Sequence, residues 1–342
     1  MKAMILEALG PMSQNPEPLR LVSVPDPAPG PGEVLIRVVT SGVCHTELDE
    51  IEARTPPPSL PVILGHQVVG RVERSGGDTK RLATGDRVGV AWIFDACQRC
   101  QHCLAGNENL CAEFRATGRD ANGGYAEFMT VPEGFAFPIP EVFTDAEAAP
   151  LLCAGAIGYR SFNLTNIENG QPLGLTGFGA SGHLVLKMVR HACPDTDVYV
   201  FARSEAERAF AKDLGAVWSG DTTDRAPLEL AAIIDTTPVW KPVVEALRNL
   251  APGGRLVINA IRKEDHDKDV LLELDYAQDL WMEREIKSVA NVARSDVAEF
   301  LALAAEIPIR PEVQEFPLEE ANKALLELKT RKIRGAKVLR IG

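Results

Sequence analysis

The chain has little of what marks a membrane protein, a disulfide scaffold or a nucleic-acid binder. No stretch of its 342 residues approaches the roughly 18 consecutive apolar residues needed to cross a bilayer. Seven cysteines in a chain of this length are too sparse for the disulfide-dense frame of a small secreted domain. Basic residues are outnumbered, 36 Lys and Arg against 48 Asp and Glu. The resulting formal net charge of −12 repels a phosphate backbone, and no dense basic stripe offsets it. Membrane and nucleic acid are thereby excluded as partners, and small-molecule chemistry is favoured. The start, Met1-Lys2-Ala3-Met4-Ile5-Leu6, runs directly into a strand-like segment. It lacks the basic region, apolar core and cleavage site of an export signal, so the expected compartment is the cytoplasm.

What is present is enough apolar mass for more than one core. With 45% hydrophobic and 25% charged residues, a chain of this length is expected to form about two domains. The first part reads as β-rich, with short apolar runs such as 34–39 and 68–72 broken by turn clusters such as 25–32. From about Thr144 the pattern becomes β-α-β alternation. Strands are expected near 173–176, 198–202, 232–235, 255–259 and 286–289, which predicts a parallel, doubly wound sheet. A short amphipathic helix at 318–326 and a strand at 337–341 close the chain.

Cys97, Cys100, Cys103 and Cys111 form C-x2-C-x2-C-x7-C, a spacing that lets four thiolates from one lobe surround a tetrahedral ion. Zinc is the expected occupant; two disulfides or an iron–sulfur cluster are the competing readings. Four cysteines close the coordination sphere, so such a metal is structural. Cys44, Cys153 and Cys193 remain. Cys44 lies in Gly42-Val43-Cys44-His45-Thr46-Glu47, and Gly65-His66-Gln67 follows about twenty residues later. Alone, a cysteine is usually a small buried hydrophobe and a histidine is usually satisfied structurally.

In combination these residues resemble the zinc-containing medium-chain alcohol dehydrogenases over essentially the whole chain. The resemblance implies a mixed α/β protein, with a GroES-like β-rich catalytic domain (1–152), a doubly wound Rossmann cofactor domain (153–290) and a C-terminal return to the catalytic domain (291–342). It also implies Cys44, His66 and Cys153 as ligands of a second, catalytic zinc, with Cys193 left as an ordinary packed cysteine. Two thiolates and one imidazole leave a coordination position for substrate. Glu47 matches an acid behind the ligand histidine, Thr46 a hydroxyl that begins proton export, and His45 a basic position that reaches the cofactor pyrophosphate. Two positions depart from the family. Asp49 stands where a histidine more often ends the proton relay, and is read either as an acceptor or as an exposed acid. Gln67 stands where glutamate is common. Trp92 resembles an aromatic position lining the substrate pocket, with a core tryptophan as the other reading. The resemblance further suggests a homodimer or homotetramer.

Gly177-Phe178-Gly179-Ala180-Ser181-Gly182 is G-x-G-x-x-G between a strand-like and a helix-like run, the context in which it binds a dinucleotide. The second strand ends Val200-Phe201-Ala202-Arg203-Ser204 and has no acid to hold the ribose hydroxyls of NAD. Arg203 and Ser204 suit a 2′-phosphate, so NADP is preferred over NAD. The competing reading makes Ser204 only the cap of the next helix, in Ser204-Glu205-Ala206-Glu207.

The expected activity is hydride transfer between an alcohol or aldehyde and the nicotinamide. Three alternatives stay open: a polyol dehydrogenase, in which glutamate often replaces the third ligand; a quinone or enoyl reductase, which would lack Cys44, His66 and Cys153; and a non-catalytic zinc or redox sensor.

Overall fold

The computed structural model describes residues 1–307, 309–330 and 335–342; the side chain of Ala180 also lies outside the described part. The chain divides into two compact units, Met1–Cys153 with Val292–Gly342, and Ala154–Asn291.

The first unit is built on strands β1 (Lys2–Leu6), β2 (Leu19–Ser23), β3 (Glu33–Val43), β4 (Val62–Ile63), β5 (Val68–Ser75), β6 (Arg87–Val90), β7 (Ile93–Asp95), β8 (Arg115–Ala116), β9 (Phe128–Pro132) and β10 (Ala136–Pro138). Helices α1 (His45–Ile51), α2 (Gln101–Leu104) and α3 (Asp145–Pro150) lie between and after them. The second unit runs α4 (Ala156–Thr165), β11 (Leu173–Thr176), α5 (Ala180–Ala192), β12 (Val198–Phe201), α6 (Glu205–Asp213), β13 (Trp218–Gly220), β14 (Leu230–Asp235), α7 (Lys241–Leu247), β15 (Leu250–Ile258) and β16 (Glu285–Ser288). The chain then returns to the first unit through α8 (Arg294–Glu306), β17 (Val313–Pro317), α9 (Ala321–Lys329) and β18 (Ala336–Arg340).

In the first unit the long strand β3 pairs antiparallel with β5, β9 and β18, so the end of the chain completes a sheet that the beginning opens. A second small sheet, β2-β1-β4, packs its inner face with the apolar side of α9, burying Met4, Leu6, Leu64, Leu325 and Leu328 in one core. In the second unit six strands lie in the order β13-β12-β11-β14-β15-β16, every neighbouring pair parallel. The order reverses at β11, which is the doubly wound arrangement expected from the β-α-β pattern. Among the described residues no helix is long and apolar enough to cross a membrane.

Local chemistry sets where key side chains stand. Gly65 has φ +100°, and a Cβ there would lie 2.4 Å from the Tyr125 ring, so only glycine brings the backbone past Tyr125 to present His66. Thr144 caps α3, accepting from the Glu147 amide while Glu147 accepts from the Thr144 amide. At the other end of α3, Pro150 has no N–H to give, and the backbone widens into a π turn, Leu151–Gly155, that carries Cys153.

Candidate active site and metal centres

Cys97, Cys100, Cys103 and Cys111 converge in one lobe, their sulfurs within 4.8 Å of one another. Cys97 and Cys103 are 3.9 Å apart, Cys100 and Cys103 3.6 Å. Tetrahedral zinc with bonds of about 2.3 Å requires sulfur separations of about 3.8 Å, so the lobe fits that ion. All seven cysteines are unbridged. Backbone amides support the sulfurs: Cys100 N–H donates to Cys97 Sγ at 3.3 Å, and Glu113 N–H to Cys111 Sγ at 3.3 Å. Amides of Arg99 and Cys100 outweigh burial and hold the Cys97 thiol down to about 6, which favours the metal-binding thiolate. The lobe is tied to α8 by Arg294, whose guanidinium lies 2.8 Å from the buried Glu108 carboxylate.

Cys44, His66 and Cys153 form the second cluster, again with all ligand atoms within 4.8 Å of one another. Cys44 Sγ is 4.0 Å and His66 Nε2 3.3 Å from Cys153 Sγ. These are edge lengths of a tetrahedron of S, S and N around zinc, about 3.8 Å and 3.5 Å from its bond lengths. Among the described residues no fourth His, Cys, Asp or Glu joins the cluster, so one corner is open. The contact with Cys153 holds the Cys44 thiol well below its usual range, while the same contact pushes Cys153 up. Burial opposes a charged His66, but Glu47 and Cys44 outweigh it and hold the imidazole well above the usual histidine range.

Glu47 is fully buried and engaged at both oxygens. Its Oε2 accepts from the Cys44 amide at 2.8 Å, and its Oε1 lies 2.6 Å from His66 Nδ1, close but not aligned as a regular hydrogen bond. Thr46 Oγ1 sits 3.6 Å from Cys44 Sγ, and His45, the first residue of α1, is exposed. Asp49 is not the exposed acid of one reading: it is buried, and Arg54 Nε donates to its Oδ1 at 2.5 Å. Gln67 is buried with its amide near Cys153 Sγ, and a Cβ on Gly42 would lie 2.2 Å from Gln67 Oε1. Trp92 is half-buried, its ring 5.5 Å from Phe114.

In the second unit Gly177 has φ +76°, and a Cβ there would lie 2.9 Å from Thr236 Oγ1. Gly179 caps α5, whose first turn holds Ser181 and Gly182; of Ala180 only the backbone is described. The loop thus aims amides of a helix start past the end of β11, as a pyrophosphate requires. At the end of β12, Ala202 is buried, Arg203 exposed, and Ser204 caps α6 by accepting from the Glu207 amide at 3.4 Å. The capping reading of Ser204 is therefore realised. Cys193 is buried at the end of α5.

Residues 30–141 match the alcohol dehydrogenase GroES-like domain family. A probable alcohol dehydrogenase, AdhA, of Mycobacterium tuberculosis (strain CDC 1551 / Oshkosh) is 41% identical over 337 residues, 97% of this chain and 95% of that protein. The chain belongs to the zinc-containing medium-chain alcohol dehydrogenase family. An alcohol dehydrogenase of Moraxella sp. (strain TAE123) is 31% identical, covering 99% of both chains. The crystal structure of an NAD-dependent alcohol dehydrogenase superposes with a TM-score of 0.87 at 25% identity over 100% of both chains. As an alcohol dehydrogenase of this superfamily, the protein combines a GroES-like catalytic domain with a Rossmann domain.

Other residues of this dehydrogenase enter the picture only through tertiary contacts. Arg208 donates to the carbonyls of Ala202 at 2.7 Å and Arg203 at 3.0 Å, placing a second guanidinium at the end of β12. Its sequence signal was its place in the first turns of the helix that Ser204 caps, close after the end of β12. Lys263 pairs with buried Asp235, which also accepts from Thr176 Oγ1 at 2.6 Å beside the glycine loop. Glu50 and Tyr125 are fully buried near Glu47, and nothing in the motif spacing pointed to Tyr125.

Proposed function

We propose that the protein is a two-zinc, NADP-preferring alcohol dehydrogenase and aldehyde reductase. Cys97, Cys100, Cys103 and Cys111 would hold a structural zinc; Cys44, His66 and Cys153 would hold a catalytic one. The observation that carries the reading is the open tetrahedron: three donors at zinc-like separations with one corner left to a ligand. Catalysis is assigned to 1–152 with 291–342 and cofactor binding to 153–290.

When bound, zinc supplies Lewis-acid polarisation of a substrate oxygen, and the nicotinamide gives or takes the hydride. The chain's own groups do the rest. Cys44 and Cys153 provide two thiolate donors. Glu47 fixes the His66 ring through its Oε1 and is itself fixed by the Cys44 amide, so the imidazole presents Nε2. Thr46, whose Oγ1 lies next to Cys44 Sγ, is assigned to take the proton of a substrate hydroxyl. Asp49, held in place by its pairing with Arg54, is assigned the later relay step. Trp92 is assigned to the substrate pocket.

The Gly177–Gly182 loop and His45 are assigned to the cofactor pyrophosphate. Support for NADP is the missing acid at Ala202, the exposed Arg203 and the neighbouring Arg208; Ser204 contributes as helix cap and its hydroxyl remains within that assignment. A homodimer or homotetramer and a cytoplasmic location complete the proposal.

The test is metal analysis together with turnover of simple alcohols and aldehydes with NADP(H) and NAD(H). Two zincs per chain and a higher kcat/KM with NADP(H) are expected. A single zinc, or no turnover with either cofactor, would overturn the assignment and favour the sensor.

A further inference from the structure

Helix α1 carries a third acid, beyond Glu47 and Asp49, for which the proposed chemistry has no use. Glu50 follows Glu47 by three residues, so both stand on one face of α1. It is fully buried, and among the described residues neither carboxyl oxygen has a hydrogen-bond partner. Its surroundings are those of the Cys44–His66–Cys153 cluster. Charges on Glu47, His66 and Cys44 all act on it, and the buried indole Nε1 of Trp92 favours its anion without forming a regular hydrogen bond. Burial first, then repulsion from Glu47, drives its carboxyl well above the usual range.

A buried acid without a partner is among the costliest groups a core can hold, and a leucine or methionine would fill the space without that cost. Among the described residues the largest charge effects on it come from Glu47, His66 and Cys44; of these His66 alone is positive, and Glu47 already faces that ring. The balancing charge that the arrangement calls for is a divalent ion between Cys44, His66 and Cys153.

We propose that Glu50 is a positioning residue of the Cys44–His66–Cys153 metal site, a buried carboxyl beside the Glu47–His66 pair that is balanced by a bound divalent cation and slows its release. This rests on the metal-site reading given above. Glu50 lies outside the set of three converging ligands, so it acts through the field it adds and through the ring that Glu47 orients.

The experiment is chelator-driven zinc release from the full-length, zinc-loaded protein, followed with a chromogenic zinc dye. Wild type should release two zincs per chain in separate phases, and Cys44→Ser, which keeps only the four-cysteine lobe, assigns them. Glu50→Gln, nearly isosteric, should accelerate release from the Cys44–His66–Cys153 site by about 10- to 100-fold, the range for groups supporting a metal ligand. The four-cysteine phase should not move, which a merely structural role for Glu50 would not predict. Unchanged rates, or equal acceleration of both phases, would overturn the proposal. One zinc per chain in wild type would instead overturn the metal-site reading, and this proposal with it. Should Glu50→Gln not fold, Trp92→Phe decides: release at the wild-type rate or slower supports the carboxyl, and tenfold faster release assigns retention to the indole and overturns it.

Discussion

The two cysteine clusters, each able to hold a metal ion, are built from opposite materials. In the 97–111 lobe the ends of the ligand set are 14 residues apart, the sulfurs are supported by backbone amides, and two of the four cysteines are half-buried. In the other cluster Cys44 and Cys153 are 109 residues apart, and the groups behind them are buried side chains, Glu47 against His66 and Gln67 against Cys153. Amides supply fixed partial charge and need no protonation, which suits a site that is never to change. Carboxyls and imidazoles can respond to a ligand, which suits a site with an open corner. The contrast teaches that reactive metal sites are recognised less by their donors than by what stands behind the donors.

The largest expected effect separates the clusters outright. Cys44→Ser should lower kcat/KM for alcohol oxidation by about 10³-fold or more, since a Lewis acid is worth several kcal/mol at about 1.4 kcal/mol per tenfold. Its melting temperature should move little. Cys103→Ser should do the reverse, lowering Tm on the order of 10 °C because structural zinc contributes folding energy, while the protein that stays folded keeps its kcat. Calorimetry beside steady-state kinetics checks both. Should both variants lose activity equally without a change in Tm, the division of labour would fail.

Next in size, Glu47→Gln should weaken zinc binding at the Cys44–His66–Cys153 site by about 10- to 100-fold, measured by competition with a chelator, with the lobe as an internal standard. Arg203→Ala should cut the NADP-over-NAD preference in kcat/KM by about tenfold, the worth of one charge-assisted hydrogen bond of about 1.5 kcal/mol. A preference that survives the substitution would pass the role to Arg208, which already lies at the end of β12. The smallest effect is expected of Gln67→Glu: zinc should be retained and kcat should change by about two- to fivefold, because a carboxylate replaces an isosteric amide against Cys153 without altering the ligand set. Kinetics identical to wild type would remove Gln67 from the site's tuning.

The class of fold was legible because it rests on periodicity. Alternating apolar runs and helix-period segments placed β11, β12, β14 and β16 to within two residues and caught the second half of β15, and a glycine loop following a strand needs no distant partner to be recognised. The strands that pair β18 back onto β3 were legible as strands and not as neighbours, since antiparallel pairing across almost the whole chain leaves no local mark. Ambiguities at single residues were settled by contacts. Asp49 became a buried ion-pair partner because Arg54 follows the end of α1 and folds back onto it. Ser204 became a cap because α6 begins at the next residue.

The sequence by itself determined the four-cysteine lobe, since short spacings confine four thiols to one small volume whatever the rest of the chain does. It also determined the doubly wound unit, through apolar runs that alternate with helix-period segments. Tertiary structure alone decided that Cys44, His66 and Cys153 converge, because loops of that length meet only when the sheets and the π turn after Pro150 fix their ends. It alone decided, too, that Glu50 is buried with no hydrogen-bond partner among the described residues. Desolvation belongs to what surrounds a group, and a helix of seven residues does not carry its surroundings in its own sequence.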